Sequence, residues 1–132
     1  IKNTKTVLGA GCSEMLMANN VRKLAAATEG KEAFAIDSFA NALQQLPTII
    51  ADNGGFDSNE LISQLRAKHS NDEKEFGLNM KDGSIANVRE MGITESYMVK
   101  RRVVASASSA AEMILLVWGL KKFKKLKKYT LV

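Results

Sequence analysis

Apolar residues recur at three- and four-residue spacing along most of the chain, the pattern of helices that each bury one face. It is clearest over Lys31–Leu46, where Ile36, Phe39, Ala40, Leu43 and Leu46 share a side. Pro47 follows, and its ring and missing N–H predict that the helix stops there or a new one begins. Thr48–Ala51 then reads as a short buried turn, broken by Asp52-Asn53-Gly54-Gly55. Upstream, Val7-Leu8 forms a short extended piece entering a tight turn at Gly9-Ala10-Gly11. A helix is predicted from Cys12 to about Ala27, with Leu16 or Met17, Val21, Leu24 and Ala25 inward and Gly30 as punctuation. Asp57 with Glu60 makes a capping-box pattern for a third helix, which buries Leu61, Ile62 and Leu65 and ends near His69. After the polar loop Asn71–Glu75, Phe76–Met80 and Ser84–Asn87 flank Lys81-Asp82-Gly83, the signal of a hairpin. Beyond Val88–Met91 comes Gly92–Arg102. Here Thr94 or Ser96 is expected to cap a helix and Glu95 to lie in its first turn, at the positive end of its dipole. From about Ser96 that helix carries Val99, Val103, Ala107, Ala110 or Ala111, Ile114 and Val117, and its many Ala and Ser residues predict close packing. The fold class is therefore mostly α, with a small β-hairpin.

Composition narrows the class. The 132 residues match one domain, and 45% hydrophobic with 25% charged content describes a globular chain, not a disordered one. The net charge of +5 is concentrated at one end. Lys121, Lys122, Lys124, Lys125, Lys127 and Lys128 follow Gly119 without an acid among them, and subtracting these six leaves 5 − 6 = −1 for the body. A pI of 9.4 is thus a property of the tail, and no nucleic acid partner is expected for the domain. The single cysteine, Cys12, excludes an internal disulfide framework and fits a reducing compartment, with Cys12 simply buried. No signal peptide is expected, and the longest apolar run, Met113–Leu120, falls short of the roughly 20 residues that span a bilayer, so no membrane is expected either. The first residue is not Met, which predicts a processed form or a piece of a longer chain.

Most catalytic chemistry fails by count or by register. A nucleophile–histidine pair would have to use His69, the one histidine, whose place at a helix C-terminus is already favourable electrostatically. One Cys and one His cannot make a zinc site. Asp52–Glu60 resembles a calcium loop, but Gly54 and Phe56 stand where ligands are needed. Gly9-Ala10-Gly11 begins like a dinucleotide fingerprint, yet Glu14 replaces the third glycine and strands do not alternate with helices. There is no Walker-type phosphate loop. What remains is a set of small features that could cooperate. Gly9–Gly11 would let the backbone approach a ligand; Leu78-Asn79-Met80 with Ile93 would form an apolar slot for a base; Glu95 would hold a ribose, with Lys100 favouring its charged form. From spacing alone, turn glycines, hairpin packing and a helix cap are the better account of the same residues.

Six blocks resolve that ambiguity by resemblance. GAGCSEMLMA (Gly9–Ala18), LPTIIADN (Leu46–Asn53), GGFDS (Gly54–Ser58), QLRA (Gln64–Ala67), GLNM (Gly77–Met80) and GITESYMVKR (Gly92–Arg101) resemble the group II chaperonins, nearest the eukaryotic cytosolic branch, in order and spacing. The likeness runs from about Val7 to Val117. It implies the C-terminal part of an equatorial domain, the helical ATP-binding and ring-contact domain, over residues 1–118, with 119–132 a divergent lysine-rich tail. It further implies a cytoplasmic, ATP-driven double ring of paralogous subunits folding client proteins such as actin and tubulin. In that frame Gly9, Ala10 and Gly11 would approach the nucleotide through their backbone. Leu78, Asn79, Met80 and Ile93 would line the base, Glu95 would contact the ribose, and Lys100 would be its basic companion. The family's middle glycine is Ala10 here, acceptable if its φ stays negative.

Two departures qualify the resemblance. The family's GDGTT-type loop for phosphate and Mg2+, and the Asp that activates water, are expected upstream of this sequence. The parent subunit would therefore be the ATPase and Mg2+ binder, and this chain alone is expected to be inactive. The ending also differs: the family's last helix commonly runs into a stretch such as ILRVDNII, whereas Trp118-Gly119 and lysines stand here. The competing reading is a stand-alone helical interaction domain whose basic tail, interleaved with Phe123 and Leu126, binds membrane or RNA.

Overall fold

A computed structural model describes residues 5–129, with side chains as far as Gly119. In chain order the elements are β1 (Thr6–Leu8), α1 (Cys12–Ala27), α2 (Glu32–Asn53), α3 (Ser58–Ser70), β2 (Phe76–Asn79), β3 (Ser84–Asn87), β4 (Thr94–Ser96) and α4 (Tyr97–Tyr129). They divide into two compact units, one spanning Thr6–Glu95 and the other taking Lys5 together with the residues from Ser96 onward. The mostly helical class with a small hairpin is the observed one.

In the first unit α1 lies along α2, and the core is built from Met15, Ala51, Leu61, Ile62, Leu65 and Leu78, with Phe56, Phe76, Met80 and Ile85 against it. Helix α1 keeps its expected bounds but buries Cys12, Met15, Ala18 and Ala25, while Leu24 is 58% exposed. Helix α2 departs further from expectation by running through Pro47 to Asn53. The proline is fully buried, and a Cβ built on Gly11 would lie only 2.6 Å from its Cβ, so its ring is pressed on the turn before α1. That packing offsets the lost helix bond, and the Thr48 hydroxyl donates to the Gln44 carbonyl at 2.9 Å. Thr48–Ala51 is thus helix rather than turn, and of its residues Ala51 is buried whereas Ile49 and Ile50 are exposed. The inner face of α2 is Ala40, Leu43, Pro47 and Ala51; Phe39 and Leu46 are outward.

Helix α3 starts where the sequence places it. The Asp57 carboxylate accepts from the amides of Asn59 at 3.0 Å and Glu60 at 3.2 Å. Glu60 itself turns to Gln64, whose side-chain amide donates to it at 3.1 Å. The hairpin is antiparallel, from Phe76 opposite Asn87 to Asn79 opposite Ser84. Its turn needs Gly83 at φ 67°, packed so tightly on the Phe56 ring that a Cβ there would overlap it. Thr94–Ser96 forms a strand paired with β1, so Glu95 precedes α4 instead of occupying its first turn. A nonlocal partner strand has overridden the local capping signal.

In the second unit α4 begins with the Tyr97 amide donating to the Lys5 carbonyl at 3.1 Å. Val99, Val103, Ile114 and Val117 are each at least half exposed among the described residues. No single apolar run is long, yet the 23-residue stretch Tyr97–Gly119 contains an 18-residue window with a mean hydropathy of 1.2. By length and composition alone that is enough to cross a membrane, a property that the core helix of a soluble protein can share. The expectations for the side chains of Lys121–Lys128, Phe123 and Leu126 lie outside the described residues.

Candidate functional site

The site grows from a four-residue turn. The Cys12 amide donates to the Gly9 carbonyl at 3.1 Å, and the central residues Ala10 and Gly11 have φ of 55° and 76°. Two consecutive positive φ values belong to a type I′ pattern, which glycine adopts freely and alanine does not. The condition set for alanine here, a negative φ, is therefore not met. The cause is in its neighbours: the Ala10 carbonyl accepts from the Leu78 amide of β2 at 2.9 Å, and the Ser13 hydroxyl donates to the Leu8 carbonyl. With both flanks tied, the peptide has no freedom to flip.

Gly9 is buried and joins the turn to β4. Its amide donates to the Ile93 carbonyl at 3.1 Å. A Cβ built on Gly9 would sit 2.9 Å from Glu95 Oε1 and 3.1 Å from Ile93 Cγ2. The Glu95 side chain thus lies directly over a Cα that has no room for a substituent, and Gly9, Ile93 and Glu95 form one half-buried group. This is the feature that local spacing could not supply, since it depends on β1 and β4 pairing from opposite ends of the unit.

The remaining expected residues divide. Leu78 is 1% exposed, and its Cδ1 lies 3.6 Å from the position of a Gly11 Cβ, so it supports the turn from within the core. The Asn79 side-chain oxygen accepts from the Lys81 amide at 3.2 Å and shapes the hairpin turn. Met80 packs at the end of α2, where a Cβ on Gly54 would overlap its Cε. Lys100 belongs to α4, in the other unit.

Residues missed by sequence reasoning are those that hold the turn. Pro47 braces Gly11, and Gly77 allows the turn to meet β2, for a Cβ on Gly77 would lie 2.9 Å from the Ala10 oxygen and 2.8 Å from Val88 Cγ1. The only signal for Gly77 was a glycine inside a strand pattern, which often marks close backbone approach. Cys12, next along, is buried and donates to the Lys74 carbonyl at 3.1 Å. Burial, then the charges of Glu14 and Glu75, push its thiol up to about 11, which keeps it protonated and unreactive. No cluster of three metal-ligating side chains occurs among the described residues.

Comparisons with known proteins identify the family. Residues 1–118 match the TCP-1/cpn60 chaperonin family. T-complex protein 1 subunit beta of Dictyostelium discoideum is 58% identical over 117 residues, 89% of this chain and 22% of that protein. The subunit beta of Homo sapiens is 56% identical with the same coverage. Among solved structures, an open-state monomer of a group II chaperonin from Methanococcoides burtonii superposes with a TM-score of 0.81 at 32% identity, over 84% of this chain and 28% of that one. The chain thus spans about a fifth of the length of the curated relatives it matches. Sequence blocks, helical architecture and family match agree over the same residues, and the chain belongs to the TCP-1/cpn60 chaperonin family.

Proposed function

We propose that this chain forms the nucleoside-facing part of an ATP site in the equatorial domain of a cytosolic chaperonin subunit. The subunit would work in a hetero-oligomeric double ring of paralogues that folds client proteins. The family membership and the beta-subunit relatives support the chaperonin role. The observation that carries the site is the Glu95 carboxylate lying over Gly9, at a position that only a glycine leaves open. A carboxylate is an acceptor-only group when ionised, suited to the two hydroxyls of a ribose. Gly9–Gly11 would bring backbone to the nucleotide, and Ile93 with Asn79 and Met80 would border the base, Leu78 supporting them from the core. Phosphate, Mg2+ and the attacking water would be managed by parts of the subunit outside this sequence.

The test separates a ribose contact from general weakening. In the complete subunit, Glu95→Gln is expected to weaken ATP binding by about ten- to a hundredfold, the scale of a hydrogen bond to a charged group. Against 2′,3′-dideoxy-ATP the same substitution should have little effect. An equal loss with both nucleotides would rule out the ribose role. Gly9→Ala, which displaces the Glu95 side chain, should reproduce the ATP-selective loss.

A further inference from the structure

A cleft of about 530 Å³ lies in the Thr6–Glu95 unit, away from the residues assigned above, and Arg22, Lys23, Arg66, His69, Asp72 and Lys74 are among its lining residues. That volume is within the range of small-molecule sites. Four of these side chains are cationic and one is acidic, and the acid is taken: Asp72 pairs with Lys74 at 2.6 Å. Lys23 and Arg66 are exposed and make no ion pair among the described residues. Arg22 is held in place, its Nη2 donating to Asn41 Oδ1 at 2.8 Å and to Gln44 Oε1 and its Nε lying 4.0 Å from Asp37 Oδ1.

Two buried nitrogens of the lining residues have no partner among the described residues, Arg22 Nη1 and His69 Nδ1. His69 is 7% exposed, and its Nε2 meets the Phe76 carbonyl at 2.8 Å. A carbonyl only accepts, so Nε2 carries the hydrogen and Nδ1 is left as a bare acceptor in the neutral ring. Structures seldom leave such groups without a partner, because burial removes the water that would otherwise serve them. A fixed guanidinium, two further cations without an ion pair of their own and an acceptor in one cleft match an oxyanion that also bears a hydroxyl.

We propose that this cleft binds a phosphate-bearing small molecule, with Arg22 as fixed donor, Lys23 and Arg66 as closing arms, and His69 in the wall. It uses none of the residues assigned to the nucleoside, so it stands or falls independently of that assignment. The test is lysine footprinting of a complete chaperonin subunit carrying this segment, with acetic anhydride at constant ionic strength, using pyrophosphate as probe and chloride as control. Pyrophosphate is expected to slow acetylation of Lys23 by about fivefold at saturation and to leave Lys31, outside the cleft, unchanged. Arg66→Ala, an exposed position, should weaken the apparent affinity by about tenfold. Asp72→Asn should strengthen it, a change that loss of folding cannot mimic; asparagine tolerates the positive φ of 67° found there. No protection of Lys23, protection equal to that of Lys31, or protection unaltered by both substitutions would overturn the proposal. So would stronger protection by a tetra-aspartate peptide than by pyrophosphate, which would assign the cleft to an acidic protein segment.

Discussion

At the scale of single residues, Ala10 is the most informative position. Alanine in the left-handed region costs about 1 kcal/mol relative to an unstrained residue, and the bonds on both sides of Ala10 hold it there. Glycine should relieve that strain even though it frees the unfolded chain. In Ala10→Gly the amides of Cys12 and Met15, bonded to the Gly9 and Gly11 carbonyls, are expected to exchange with solvent about fivefold more slowly. Faster exchange would mean that the alanine methyl contributes packing that outweighs its backbone conformation. Two positions on, Cys12 offers a contrast in which burial controls chemistry. Its thiol ionises near 11 in the folded chain against 9.0 unperturbed. Because the folded value is the higher one, the stabilisation is complete below pH 9.0 and is lost as pH rises through about 11. Iodoacetamide at neutral pH should therefore label Cys12 only as fast as the Thr6–Glu95 unit opens, and urea should accelerate labelling in step with unfolding. Rapid labelling without denaturant would contradict a buried, protonated thiol.

At the scale of elements, α3 and its junction with β2 can be tested from both ends. Asp57→Ala removes two bonds to the first-turn amides and is expected to cost about 1 kcal/mol, seen as faster amide exchange over Ser58–Leu61 and little change in the hairpin. At the other end, burial lowers the pKa of His69, and the bond to the Phe76 carbonyl only partly opposes it. The neutral ring is the folded form, so its contribution is complete above 6.5 and declines as the pH falls through the lower folded value. The imidazole resonances of this one histidine should titrate below 6.5, with the junction loosening over the same range; a midpoint at or above 6.5 would contradict the burial seen here. The same elements show what a sequence can convey. Asp57, the Asp82-Gly83 turn and the glycines around α1 act through neighbours a few positions away, and the elements they mark stand where the pattern places them. Pro47 and Thr94–Ser96 depend on partners far along the chain. The proline is tolerated because Gly11 meets it, and the strand forms because β1 lies beside it. Periodicity also identified α2 as amphipathic without deciding which apolar face turns inward, so Phe39 and Leu46 were placed inside and lie outside. For the site, the glycines and Glu95 stood out by type, but their juxtaposition required the β1–β4 pairing.

At the scale of the whole molecule, the exposed apolar surface and the length of the relatives belong to one argument. Phe34, at 76% exposure, and Phe39, Leu46 and Ile49 lie open on α2; in the other unit Met113–Trp118 of α4 are all more than half exposed. A folded monomer rarely leaves so much large apolar surface in water, and patches of this kind mark places where other protein packs. The relatives are about five times longer than the matched segment, and on the proposed function the remainder of such a subunit would supply that covering. Alone, the 132-residue chain is expected to keep helical circular dichroism but to bind a hydrophobic dye, to self-associate as its concentration rises, and to melt gradually. It should also show no Mg2+-dependent ATP turnover. A sharp, concentration-independent melting transition of a monomer would show that these faces need no cover. Association with lipid vesicles, lost on deleting residues from Gly119 onward, would favour a membrane role for α4 and the basic tail. If the subunit covers these faces, joining the chain to the remainder of a chaperonin subunit should abolish dye binding and vesicle binding together, because both would draw on the same apolar surface.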